Sequence, residues 1–130
     1  MLLDTSGLLC LLHRSEPQHL AALEHYRSAT VRVTHSLVLA EFVALCQARR
    51  LPRTAVLEFV QALLENPDIE MIWADQNSLQ ASFALLQSRA DKTYSWCDAL
   101  SFILMRQRNL SDGLTTDRHF EQEGFRRLLG

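Results

Sequence analysis

The sequence predicts an α/β fold, in which a central and mostly parallel sheet carries helices on both of its faces. Short apolar or β-branched runs alternate along the chain with longer segments whose apolar residues recur at helical spacing. The chain has 130 residues, of which 48% are hydrophobic, and this suits one domain with a buried core. We therefore expect a single three-layer α/β/α domain over residues 1–130.

The first half of the chain is expected to hold two strands and four helices. A short apolar run predicts a strand at residues 2–4, and alternating β-branched residues predict another at 31–34. Ser15 and Gln18 fit a capping box with proline at the first helical position, which predicts a helix over 17–28. Apolar periodicity predicts the other helices at 6–12, 36–50 and 54–65.

The second half continues the alternation of strands and helices. A strand is predicted at 69–73, and Asp75 caps a helix that runs to about residue 89. Ser95 caps a helix to about residue 108, which is apolar nearly all round and should be well buried. Asp112 and Gly113 have the pattern of a turn. The remaining elements are a strand at 114–116, a short helix at 118–123 and an edge strand at 125–129.

Composition and charge exclude several classes of protein. Thirteen basic and fifteen acidic side chains give a net charge of −2, which excludes a strongly basic nucleic-acid-binding module. No apolar run reaches the ~18 residues of a membrane span, and the N-terminus lacks the basic region and cleavage site of a signal peptide. Cys10, Cys46 and Cys97 are predicted to be buried free thiols, and the cytoplasm is the expected compartment.

Four carboxylates are the candidate functional residues. Asp4 and Asp117 stand where strands should end, and the working site of a parallel sheet lies beyond the carboxyl ends of its strands. Glu41 lies in an apolar stretch of helix, where an ionised carboxylate is costly unless it is paired or binds a metal. Asp98 lies in the first turn of the most apolar helix. If these carboxylates meet, their oxygens favour Mg²⁺ or Mn²⁺, and such ions can assist phosphodiester cleavage.

Each carboxylate also has a purely structural interpretation. Ser95 and Asp98 fit a capping box by themselves. Asp4 and Asp117 could cap the helices that follow them, and Glu41 could be half-exposed with its stem packed. Taken together, the four acids favour the functional interpretation, because they occur on the elements where a site would be built.

Three polar residues near the acids have two interpretations as well. Ser6 and Thr116 could orient a ligand carboxylate or a bound water, or they could be ordinary cap residues. Asp112 competes with Asp117 for the last position of the cluster, but its place before Gly113 indicates a turn.

Four segments carry the candidate acids, namely LLDTSGLL at 2–9, LAEF at 39–42, DKTYSWCDALS at 91–101 and LTTDRHF at 114–120. Together they resemble the motifs of PIN-domain ribonucleases, including the toxin nucleases of VapBC-type toxin–antitoxin pairs. The resemblance implies an α/β/α sandwich in which Asp4, Glu41, Asp98 and Asp117 hold Mg²⁺ or Mn²⁺. It also implies metal-dependent hydrolysis of RNA, a cognate antitoxin protein and often a homodimer.

Basic residues next to the matched acids are the candidate RNA contacts. Lys92, Arg118 and His119 could bind phosphate, although solvated surface charge is the alternative for each. In contrast, residues 54–88 contain five acids and neither lysine nor arginine, so we expect this stretch to face away from RNA.

Two other functions compete with the nuclease. One is a catalytically silent interaction module that keeps the same fold. The other is a phosphoacceptor receiver domain, which needs paired acids near the first strand and a lysine at the end of a late strand. Asp4 has no acidic neighbour and Lys92 precedes a helix, so the receiver chemistry fits poorly.

Overall fold

The computed structural model describes all 130 residues and contains one five-stranded sheet. The strands are β1 (Leu2–Leu3), β2 (Val33–His35), β3 (Glu70–Ile72), β4 (Asp112–Leu114) and β5 (Arg126–Arg127). They lie in the order β3-β2-β1-β4-β5, and every neighbouring pair is parallel. The predicted α/β class with a parallel central sheet is confirmed.

Seven helices connect the strands. They are α1 (Thr5–Leu12), α2 (His19–Ser28), α3 (Ser36–Ala48), α4 (Arg53–Glu65), α5 (Gln76–Ser88), α6 (Trp96–Gln107) and α7 (His119–Gln122). As predicted, Asp75 caps α5, and it forms a capping box with Ser78. None of the helices combines the length and the apolar composition that crossing a membrane requires.

The two residues of β1 show that both faces of the sheet are covered. Leu3 packs in an apolar cluster with Leu8 and Phe42, from α1 and α3. Leu2 packs in a second cluster with Phe102 and Phe120, from α6 and α7. Because successive strand side chains point to opposite faces, the two clusters are the layers above and below the sheet.

The predicted start of α2 is wrong by two residues. The helix begins at His19, and Gln18 occupies its N-cap position without a side-chain capping bond. The preceding residues form turns instead, because the Glu16 N–H donates to the His13 carbonyl and the His19 N–H donates to the Glu16 carbonyl.

The fourth strand lies two residues earlier than predicted. Asp112 and Gly113 are not a turn but strand residues that pair with Arg126 and Arg127 of β5. Gly113 serves close packing, since a Cβ there would come within 2.7 Å of the Phe120 ring. The Thr-Thr pair that follows therefore lies beyond the strand end, at the carboxyl edge of the sheet.

Candidate metal centre

The carboxyl edge of β1 and β4 is the floor of the candidate site. The two strands are adjacent, with Leu3 in register with Leu114, and the Asp4 N–H donates to the Leu114 carbonyl at 3.2 Å. Gly7 lets α1 approach closely, because a Cβ at this position would clash with the Leu114 carbonyl oxygen. Asp4 is thereby fixed beside the segment that follows β4.

Asp4 is a buried carboxylate that no basic side chain neutralises. Its exposed fraction is 4%, and Thr115 Oγ1 donates to its Oδ2 at 2.7 Å. Although Asp4 occupies the N-cap position of α1, its side chain makes no capping bond, so the structural interpretation as a cap does not hold. Burial raises the pKa of Asp4 to about 7; the Thr115 hydroxyl opposes this shift, and the charges of Asp98 and Glu41 add to it.

Asp98 is both a helix cap and a member of the cluster. Its Oδ2 accepts from the Ser95 N–H at 3.0 Å, and the Ser95 hydroxyl accepts in turn from the Asp98 N–H, so the predicted capping box is present. The same Oδ2 lies 2.8 Å from His119 Nδ1. Burial raises the pKa of Asp98, the hydrogen bonds from Ser95 and His119 oppose the shift, and the charge of Asp117 adds to it.

Asp117 lies next to Asp98 at the start of the α7 turn. Its Oδ1 accepts from the His119 N–H at 2.9 Å, and its own N–H donates to Thr115 Oγ1 at 3.0 Å. One ligand atom from each of Asp98, Asp117 and His119 can be chosen so that all lie within 4.8 Å of one another. The structure therefore groups two of the predicted acids with a histidine.

Glu41 is exposed on α3, so the argument that it is a buried charge is wrong. Its neighbour Phe42 is buried, but consecutive helical residues point in different directions and Glu41 faces solvent. Its charge nevertheless acts on Asp4, whose pKa it raises. Burial raises the pKa of Cys97 as well, and the charges of Glu41 and Asp4 raise it further. The charge of Glu41 thus acts on Asp4 and Cys97, although its side chain is exposed.

The hydroxyl that holds Asp4 belongs to Thr115, which the sequence reasoning missed. Thr115 is fully buried, and its Oγ1 lies 3.2 Å from the Ser6 hydroxyl. Ser6 Oγ also accepts from the Thr116 N–H at 2.9 Å. Ser6 therefore contacts no carboxylate directly and reaches Asp4 only through Thr115, whereas Thr116 contributes its backbone and leaves its side chain exposed.

The basic residues near the site differ in whether they pair with acidic side chains. The Arg118 side chain is exposed and makes no ion pair or hydrogen bond, whereas Lys92 Nζ lies 3.5 Å from an Asp91 oxygen. Six of the twelve arginines in the sequence are paired with carboxylates.

Arg126 binds both oxygens of Asp112, at 2.8 and 2.7 Å, and this pair lies at the opposite end of β4 from Asp117. Asp112 is therefore no rival for Asp117.

Comparisons with known proteins agree with this arrangement. A family model described as the PIN domain matches residues 1–125. The crystal structure of VapC20 from Mycobacterium tuberculosis, a sarcin–ricin loop cleaving toxin, superposes with a TM-score of 0.87. That match has 23% sequence identity and covers 96% of this chain and 95% of VapC20. No curated protein matches the sequence.

Proposed function

Because this chain belongs to the PIN domain family, we propose that it is a divalent-metal-dependent endoribonuclease and the toxin of a type II toxin–antitoxin pair. One observation carries the proposal. Asp4 is buried, the negative charges of Asp98 and Glu41 raise its pKa, and no basic side chain pairs with it. Such a carboxylate cluster repels itself and is stabilised by a divalent cation.

The donor set fits Mg²⁺ or Mn²⁺. Asp4, Glu41, Asp98 and Asp117 would hold the metal, and all four offer hard carboxylate oxygens. When bound, the metal would activate water and stabilise the charge that develops on a phosphodiester during cleavage.

The residues around the acids supply positioning and substrate binding. Thr115 holds the Asp4 carboxylate in one orientation, and Ser6 holds the Thr115 hydroxyl and the backbone of Thr116. Arg118 follows Asp117 directly and has no acidic partner, so it is available to bind a phosphate of the RNA. Lys92 could add a second phosphate contact after leaving Asp91.

The proposed substrate and partners rest on the family and on the structural likeness. VapC20 is a sarcin–ricin loop cleaving toxin, which supports RNA as the substrate class and a toxin role for this chain. A cognate antitoxin protein is the partner that this role requires. The cytoplasm is the proposed compartment, which the three free and buried cysteines support.

We also propose a homodimer, which a charge-poor apolar groove on α5 and α6 supports. The groove has a volume of about 650 Å³ and contains Leu79, Phe83 and Trp96, with Asp75 as its single charged residue. Phe83 and Trp96 are exposed and their ring centroids lie 5.4 Å apart. Aromatic surface without charge is typical of protein interfaces. A solution mass near twice the 14.9 kDa of the chain is the expected measurement.

RNA cleavage should require a divalent cation. We expect the purified protein to cut a folded RNA in the presence of Mg²⁺ or Mn²⁺ and to lose this activity in EDTA. Adding excess metal should restore cleavage, and RNA binding measured by fluorescence anisotropy should weaken when metal is removed. Cleavage that persists in EDTA would overturn the metal assignment. A protein that binds the metal but cuts no RNA would instead be the silent module.

Replacing Arg118 with alanine should weaken RNA binding without changing metal binding. A lost phosphate contact costs on the order of tenfold in affinity and reduces the salt dependence of binding. The measurement is the dissociation constant for a non-cleaved RNA over a salt series. Arg126→Ala is the matched control, because Arg126 pairs with Asp112 at the far end of β4. Equal losses in both variants would contradict a specific role for Arg118.

A further inference from the structure

His119 connects two carboxylates of the cluster, Asp98 and Asp117. Its Nδ1 lies 2.8 Å from Asp98 Oδ2, and its backbone N–H donates to Asp117 Oδ1 at 2.9 Å. The side-chain Nδ1 also lies 3.4 Å from Asp117 Oδ1. One residue thus contacts an acid from α6 and an acid that follows β4, and both contacts restrict where these carboxylates can lie.

The imidazole of His119 is itself fixed from two directions. Its Nε2 lies 3.0 Å from the Thr93 hydroxyl. Its ring packs edge-on against Tyr94, with centroids 5.2 Å apart at an interplanar angle of 62°. Because the loop before α6 contacts both Nε2 and the ring, these contacts fix the orientation of Nδ1 toward Asp98.

Tyr94 is held in turn by an ion cluster around the buried Glu123 carboxylate, which the sequence reasoning did not identify. The Tyr94 hydroxyl donates to Glu123 Oε1 at 3.1 Å. The Glu123 side chain is 3% exposed and binds Arg89 through both of its oxygens, at 2.9 and 3.2 Å. Arg106 donates to the same carboxylate at 2.5 Å. Burial would raise the pKa of Glu123, but these hydrogen bonds outweigh it and hold the pKa below its usual value.

We infer that His119 is a positioning residue that holds Asp98 and Asp117 in the arrangement a divalent cation requires. This inference rests on the proposed function. Two carboxylates repel each other, and the imidazole donor offsets this repulsion and adds a second hydrogen bond to the one that Asp98 accepts from the Ser95 N–H. The donor pre-organises them, which lowers the entropy cost of binding a cation. The role differs from the RNA contact predicted from the sequence, because both ring nitrogens already have partners within the protein.

The test compares three substitutions of His119 that differ in where they offer a donor. The asparagine amide nitrogen is the same number of bonds from Cβ as Nδ1, whereas the glutamine amide nitrogen corresponds to Nε2. His119→Ala and His119→Gln should bind Mn²⁺ about 10- to 100-fold more weakly, the usual effect of removing a group that orients a metal ligand. His119→Asn should retain affinity to within about threefold, because it keeps the donor that faces Asp98.

Isothermal titration of each protein with MnCl₂ gives the dissociation constants, and thermal unfolding in EDTA shows whether the variants stay folded. Equal Mn²⁺ affinity in wild type, His119→Gln and His119→Ala would overturn the inference and leave the proposed function intact. A nitrogen coupling in the pulsed EPR spectrum of the Mn²⁺ complex would also overturn it, since His119 would then be a ligand. A wild-type protein that binds no Mn²⁺ would overturn the proposed function as well.

Discussion

Replacing Asp4 with asparagine is expected to abolish metal-dependent RNA cleavage and, at the same time, to stabilise the metal-free protein above neutral pH. The loss of cleavage follows from the proposed role of Asp4 as a metal ligand, and we expect a decrease of about 10²- to 10³-fold, comparable with removing a principal electrostatic group from an active site. The gain in stability follows from its burial, because the ionised carboxylate is desolvated and repelled by Asp98 and Glu41.

The direction of the pH dependence follows from the raised pKa of Asp4. The folded pKa of about 7 lies above the ordinary value of 3.8, so the folded state binds the proton more tightly than the unfolded state. Protonation of Asp4 therefore stabilises the folded state. This contribution to the free energy of unfolding is complete below about pH 4 and is lost as the pH rises through 7. Three pKa units correspond to an upper limit of about 4 kcal/mol at pH 8.

Urea unfolding in EDTA at pH 5 and pH 8 measures this effect. Wild type should be less stable at pH 8, and Asp4→Asn should remove most of the difference; the raised pKa of Asp98 maintains the rest. Mn²⁺ should stabilise wild type and have little effect on the variant. Asp91→Asn is the control, because Asp91 is an exposed loop carboxylate. If Asp4→Asn showed the same pH dependence of stability as wild type, the raised pKa of Asp4 would be contradicted.

Replacing Glu123 with glutamine should destabilise the protein by about 2–3 kcal/mol. Breaking a buried ion pair usually costs about 3–5 kcal/mol, and we expect less here because water can reach the guanidinium groups. The side chains of Arg89 and Arg106 are 38% and 46% exposed. The measurement is the free energy of unfolding in urea.

Glu121→Gln is a matched control for this effect, two residues away on the same segment. Glu121 pairs with Arg127 at 2.7 Å, but its side chain is 51% exposed, so its loss should cost at most about 1 kcal/mol. Equal losses in the two variants would show that burial of Glu123 does not make its ion pairs stronger than surface pairs. A folded Glu123→Gln protein should also bind Mn²⁺ more weakly, because a neutral amide oxygen holds the Tyr94 hydroxyl less strongly than the carboxylate does.

The fold and the position of Asp4 beside the segment after β4 could be predicted from local patterns. Alternation of strands and helices predicts a parallel sheet, and a parallel sheet brings Asp4 and the segment after β4 to one edge. Pattern reasoning failed where two local signals conflict. The Asp112–Gly113 pair is typical of a turn, but pairing with β5 and packing against Phe120 made it a strand. The strand therefore ends two residues earlier than predicted, and the hydroxyl that contacts Asp4 is that of Thr115 rather than Thr116.

Contacts between distant residues could not be predicted from one sequence. Thr115 and Asp4 are 111 positions apart, and Tyr94 and Glu123 are 29 positions apart. Nothing near Glu123 in the sequence signals burial, because its neighbours are Gln122 and Gly124. Glu41 shows the opposite failure. Apolar neighbours suggested a buried charge, but helical geometry directed this side chain to the solvent.

The place of β1 between β2 and β4 has a consequence for synthesis on the ribosome. The first strand cannot complete its pairing until residues 112–114 have been translated, because β4 is its second neighbour. A nascent chain shorter than this lacks Thr115 to orient Asp4, and it lacks Asp117 and His119 altogether. The protein therefore emerges without a complete set of acids, and an enzyme that cuts RNA would stay inactive until its last elements are made.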